Sequence, residues 1–216
     1  MKIELLKNLK QDPDNVKAIV RFAAKPFGMF LISGPSGSGK TFASKAIYEA
    51  NTSYCLPYRD DEEAILTSEY NLALDWKESL KNPLVDLDKY LKTKLLIIDN
   101  FGSKDPTPTY LEYLFHLIDH RWENGHSLGT VIVINRVSEE IKASFGASFF
   151  SRIASGSLVR LSNQNRIEAI ATYLEAQGKA FDGKDLLGRE KSQKSLGWAK
   201  EEEIEASQFS WKKTAI

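Results

Sequence analysis

A single cysteine, Cys55, stands in the 216 residues of this sequence. One thiol cannot form a disulfide within the chain, and such usage fits a reducing cytoplasm. Histidine is nearly as scarce, with three residues. Two of them, His116 and His120, follow Glu112 at four-residue spacing, which could form a metal-binding helix face. No cysteine or further histidine supports that use, so a solvated face is the expectation. Net charge is missing too: Lys plus Arg and Asp plus Glu both number 29. The molecule as a whole is therefore no electrostatic binder of nucleic acid, and any such binding must come from a local patch. The longest apolar runs are strand-length, far short of a membrane span. The opening MKIELLKNLKQDPDN lacks the apolar core of a signal peptide. The expectation is a cytoplasmic protein with no membrane partner, built as one sizeable domain with room for a small appendage.

What is present is an alternation of apolar runs and helical patterns. Residues 2–10 carry Ile3, Leu5, Leu6 and Leu9 at near-helical spacing, and Asp14 or Asn15 could cap a second helix through Ala24. Met29–Ile32 reads as a first buried strand, with a helix from Thr41 to Ala50 after it. Residues 53–58 read as a second strand, followed by a helix from about Glu62 to Leu80 that Asn82-Pro83 ends. Lys94–Asp99, Thr130–Ile134 and Leu158–Leu161 read as three further strands. Between them come an amphipathic helix, Tyr110–Asn124, and two short helices near Ser138 and Phe149–Ala154. Uniformly apolar strands alternating with helices imply a parallel sheet covered on both faces. From Asn163 the pattern weakens. One helix is clear from Ile167 to Gln177, and a short one is expected at Glu201–Ser207.

Between the first strand and its helix lies Gly34-Pro35-Ser36-Gly37-Ser38-Gly39-Lys40-Thr41, followed by Phe42. This is a complete G-x-x-x-x-G-K-[ST] phosphate-binding loop in the strand–loop–helix setting it requires. The glycines let backbone N–H groups turn towards phosphate oxygens, Lys40 can reach the β- and γ-phosphates, and the Thr41 hydroxyl can hold Mg²⁺. ATP and Mg²⁺ are the expected cofactors. Asp99 ends an apolar strand at the edge where parallel sheets bind ligands, so it would hold Mg²⁺ directly or through water. Asn100 follows it. An amide has no basic lone pair at neutral pH, so it cannot take a proton from an attacking water. Either hydrolysis is slow and ATP serves as a switch, or another carboxylate acts, Asp105 being the nearest. Asn135 ends the fourth strand on the same edge and can orient water and touch the γ-phosphate. Arg136 beside it reads as a solvated charge. Arg152 could reach the nucleotide of a neighbouring subunit as an arginine finger, or form a surface salt bridge. Arg166 could be a phosphate sensor or a structural charge. In the tail, Arg189, Lys191, Lys194 and Lys200 surround Trp198, and Phe209 and Trp211 precede Lys212-Lys213. Such interleaving suits DNA-backbone contact, a docking peptide, or packing of the tail on the protein's own core.

In order, GPSGSGKT at 34–41, LLIIDNFG at 95–102, LFHLIDHRWENG at 114–125, TVIVIN at 130–135, FFSRI at 149–153 and NQNR at 163–166 resemble the AAA+ ATPases. Within them the chain is most similar to the DnaC-type helicase loaders and the IstB-type transposition helpers. The resemblance covers roughly residues 27–166. It implies an α/β fold with a P-loop AAA+ core: a five-stranded parallel sheet flanked by helices, with a short helical N-terminal segment and a helical or irregular C-terminal tail. It divides the chain into 1–26, an N-terminal helical segment; 27–162, the ATP-binding core; and 163–216, a reduced lid or partner-binding tail. It implies ATPase activity, homo-oligomers with composite ATP sites, and as partners a replicative helicase or a transposase together with single-stranded DNA. The sequence departs from the family in having Asn100 where a Glu is usual, in a short region before the core, and in a longer tail. A nucleotide kinase is the other enzyme class with such a loop, but no arginine-rich lid is visible.

Overall fold

The structure, a computed structural model, describes residues 11–52 and 64–162. The chain divides into two compact units, Met1–Arg166 and Ile167–Ile216, and every described residue belongs to the first. The helix expected at 2–10, the strand expected at 53–58, Arg166 and the whole tail lie outside the described residues.

Among the described residues five strands, β1 (Gly28–Ser33), β2 (Ala64–Ser68), β3 (Leu95–Phe101), β4 (Gly129–Ile134) and β5 (Ser157–Arg160), form one parallel sheet in the order β2-β3-β4-β1-β5. Among the described residues seven helices accompany them: α1 (Pro13–Ala24), α2 (Lys40–Thr52), α3 (Glu69–Ser79), α4 (Asp88–Lys92), α5 (Pro108–Glu123), α6 (Ser138–Phe145) and α7 (Ala147–Ile153). The two-residue period of the strands sorts their side chains between two cores. Phe30, Ile32, Leu95, Ile97, Val131 and Val133 pack with α1 and α2 on one face. Met29, Leu31, Leu96, Ile98, Ile132 and Ile134 pack with α3 to α7 on the other. Both faces are buried, which is why these strands read as continuous apolar runs.

Two expectations needed correction. Ala64–Ser68 is a strand, inside the stretch expected to be helical from about Glu62, and α3 begins only at Glu69. A five-residue apolar run carries no periodicity that separates strand from helix. Pairing with β3, from Ala64↔Leu95 to Ser68↔Asp99, decides it. The cap of α1 is Asp12, whose side chain accepts from Asp14 N at 2.8 Å, with Pro13 in the first helical turn. That helix also packs Ile19, Phe22 and Ala23 into the first core.

Among the buried charged side chains, one has no exposure at all. Arg121 of α5 is wholly buried. It donates from Nε to Thr130 Oγ1 (2.8 Å), from Nη1 to the carbonyls of Tyr90 (2.9 Å), Leu91 (3.2 Å) and Thr93 (2.9 Å), and from Nη2 to the Gly129 carbonyl (2.5 Å). It thereby ties the end of α4 and the start of β4 to α5. Burial pushes its pKa down to about 9, so it remains cationic at neutral pH.

Candidate functional site

Strand β1 ends at Ser33 and the loop that follows has left-handed backbone at Gly34 (φ 144°), Gly37 (φ 76°) and Gly39 (φ 93°). At Gly34 a Cβ would also collide with the Leu161 carbonyl, so only glycine fits there. Ser36 and Gly37 are exposed at the tip, Pro35 and Gly39 half-buried. Helix α2 begins at Lys40, and Phe42 is exposed on it. Lys40 is buried and its Nζ donates to the carbonyls of Gly34 (2.7 Å) and Pro35 (2.6 Å). Ser38 Oγ is buried without a hydrogen-bond partner among the described residues. A loop that curls around an ammonium group, leaves a hydroxyl unmet and sits at a helix N-terminus has the chemistry of an anion cradle, so the residues present fit a nucleotide phosphate.

The loop is pinned from the side by a residue that sequence reasoning missed. Gln11 Nε2 donates to the carbonyls of Ser38 (2.9 Å) and Ser162 (2.5 Å), and its Oε1 accepts from Ser162 N (2.9 Å). Nothing local marks Gln11, because its partners lie 27 and 151 positions away.

Strand β3 delivers the acid. Thr41 Oγ1 donates to Asp99 Oδ2 at 2.9 Å, so the two expected Mg²⁺ ligands meet. The other oxygen, Oδ1, accepts from Asn100 N at 2.9 Å. At this point β3 bulges: Ile98 pairs with Ile132 but Phe101 with Ile134, three residues against two. The extra residue returns Phe101 to the core face of Ile98 and leaves Asn100 exposed, in left-handed backbone with φ 55°. Asn135, just past β4, donates from Nδ2 to Asn100 Oδ1 at 3.2 Å. The phosphate loop, Thr41 and Asp99 thus share one end of the sheet with the Asn100–Asn135 pair.

Arg152 is placed differently. Its Nε pairs with Asp119 of α5, its Nη1 donates to the Ser148 carbonyl at 3.3 Å, and its guanidinium lies 4.7 Å from the ring centre of Phe115 and 5.5 Å from that of Trp122. Each of these contacts is with α5 or α7, none with the loop. Arg136 is no freely solvated charge: it donates to Asp105 Oδ1 (2.8 Å) and Ser144 Oγ (3.2 Å). These bonds hold the Asp105 carboxyl below its ordinary value, Arg136 first and Ser144 next.

Glu69, at the start of α3, also went unnoticed in the sequence. It is buried, its Oε2 accepts from Gly102 N at 2.6 Å, and burial pushes its pKa up to about 7. Its signal is an acid directly after a strand that ends beside Asp99, but the apolar run of that strand carries no periodicity that separates it from helix.

No family model matches the chain, and no curated protein matches it. Solved structures do. Domain III of the replication initiation protein DnaA from Thermotoga maritima aligns at 19% identity and a TM-score of 0.62, over 82% of this chain and 75% of that one. Replication initiator DnaA bound to AMPPCP and single-stranded DNA aligns at 18% and 0.64, over 94% and 68%. The DnaC helicase loader aligns at 18% and 0.55, over 68% and 88%. At such identities the likeness shows the fold alone, a five-stranded parallel sheet flanked by helices, as the ordered motifs implied.

Proposed function

We propose that this chain is an ATP-binding AAA+ switch that helps load a replicative helicase, and that it splits ATP slowly. The observation that carries the reading is the pairing at the loop: Thr41 with Asp99, and Asn100 with Asn135. Gly34 to Gly39, Lys40 and the start of α2 would hold the phosphates, and Thr41 and Asp99 the Mg²⁺. The metal, when bound, neutralises charge on phosphate oxygens. Lys40 would exchange its two loop carbonyls for phosphate oxygens. Asn135 and Asn100 would orient water by their amides, but neither can take its proton. Asp105, the alternative base, is made less basic by Arg136 and Ser144.

The role in replication is supported by the fold shared with a helicase loader and with an initiator bound to AMPPCP and single-stranded DNA. By that analogy the partners are a hexameric helicase and single-stranded DNA, in the cytoplasm, with residues 27–162 as the ATP-binding core and 163–216 as a lid or partner-binding tail. In a homo-oligomer Arg152 would complete a neighbour's site, which requires its guanidinium to leave Asp119.

Nucleotide titration and capture by the ATP-loaded protein test the reading together. Wild type should bind ATP, Lys40→Ala should weaken binding at least about tenfold, and the captured partner should be a helicase. Capture of a transposase would turn the reading to transposition. Phosphoryl transfer to a nucleoside monophosphate would make the protein a kinase, and absence of ATP binding would end the proposal.

A further inference from the structure

The turn that follows Asp99 is held from two sides. Residues 99–103 leave the sheet through the bulge, with left-handed backbone at Asn100 and again at Gly102 (φ 75°). From the β4 side, Asn135 holds the Asn100 side chain, and the Arg136 Cδ would lie 3.9 Å from a Cβ at Gly102. From the β2 side, the Glu69 carboxyl accepts from Gly102 N at 2.6 Å and bonds the Ser103 backbone as well. A glutamate at the first position of a helix ordinarily serves its own N-terminus. This one is buried and spends an oxygen on another element, 33 residues away in the chain. Burying a carboxyl is costly unless its hydrogen bonds are met, and here the backbone of Gly102 and Ser103 meets them.

We infer that Glu69 is a positioning residue of the nucleotide site: by gripping the backbone of Gly102 it fixes the 99–103 turn, presents Asn100 to the terminal phosphate, and so sets the preference for ATP over ADP. The inference rests on the ATP-site reading above and adds a residue that no phosphate-loop motif contains. As a positioning residue Glu69 would touch neither nucleotide nor metal. It acts through Asn100, whose left-handed backbone suits asparagine better than most residues and whose side chain Asn135 holds.

The test is equilibrium binding of AMPPCP and of ADP, with Mg²⁺, to the full chain and to Glu69→Ala, Glu69→Gln, Asn100→Ala and the Glu69→Ala/Asn100→Ala pair. Wild type should prefer AMPPCP. Glu69→Ala should lose about tenfold of that preference, through weaker AMPPCP binding with little change for ADP. Glu69→Gln keeps one acceptor oxygen and should recover most of it. Asn100→Ala should lose a similar factor, and the double variant no more than either single one, since both act on one interaction. A general loss of structure would weaken both nucleotides together. Where Glu69→Ala does not fold, Glu69→Gln carries the test with a smaller loss of preference. Parallel weakening of both ligands, unchanged preference in the Glu69 variants, or additive losses in the pair overturns the inference while leaving the ATP site standing. Wild type that binds neither nucleotide overturns both.

Discussion

Replacing Arg121 should unfold this domain more readily than removing any residue of the phosphate loop. In Arg121→Met the side chain keeps much of its volume but loses every donor. Four carbonyls, those of Tyr90, Leu91, Thr93 and Gly129, and the Thr130 hydroxyl then face an apolar group in a site closed to solvent. An orphaned buried acceptor costs about 1–3 kcal/mol, so five would lose roughly 5–15 kcal/mol if none relaxed. Two effects reduce this. The guanidinium's own desolvation cost disappears with it, and water can enter to meet some carbonyls. Once these offsets are taken from the lower half of that range, a net loss of about 3–5 kcal/mol follows. In a chain of this length that is roughly a 10 °C fall in Tm. Arg121→Lys keeps the charge and three donors but not the planar fork, so it should fall between, at about 2–3 kcal/mol. Urea unfolding at constant m-value is the assay. A Met variant within about 1 kcal/mol of wild type would refute the reasoning, because the carbonyls would then not need the guanidinium.

Asn100→Glu puts a basic group where the amide now stands and should raise steady-state phosphate release by about 10²-fold, the lower end for general-base catalysis; an unchanged rate would move the cause of slow turnover elsewhere. Glu69 should leave a mark on stability against pH. Burial holds its pKa at about 7 against the ordinary 4.5, so folding favours the protonated form. That contribution is complete below pH 4.5 and is lost as pH rises to about 7, a fall of up to ~3 kcal/mol. Glu69→Gln should flatten the difference in unfolding midpoint between pH 5 and pH 7.5, and a pH course identical to wild type would disprove it. Asp12→Ala removes the cap of α1 and should cost about 1 kcal/mol in the same assay.

Much of the site was written locally. A phosphate loop is a contiguous run whose glycines and lysine act within eight residues, so 34–41 declared itself without a neighbour. Apolar runs buried on both faces announced β1, β3 and β4 in the same way, and the ending of each placed Thr41, Asp99 and Asn135 on one edge. Tertiary structure decided what depends on partners distant in the chain. β2 is a strand only by pairing with β3, and that pairing sets Glu69 at the first position of α3, beside the turn that follows Asp99. The bulge that exposes Asn100 exists only against β4. Gln11, Arg121 and Arg152 have meaning through carbonyls and carboxylates that no sequence window contains. Periodicity records which face of an element is apolar, since that is a property of the element alone. Which buried polar group meets which is settled only when two elements close on each other and leave water behind.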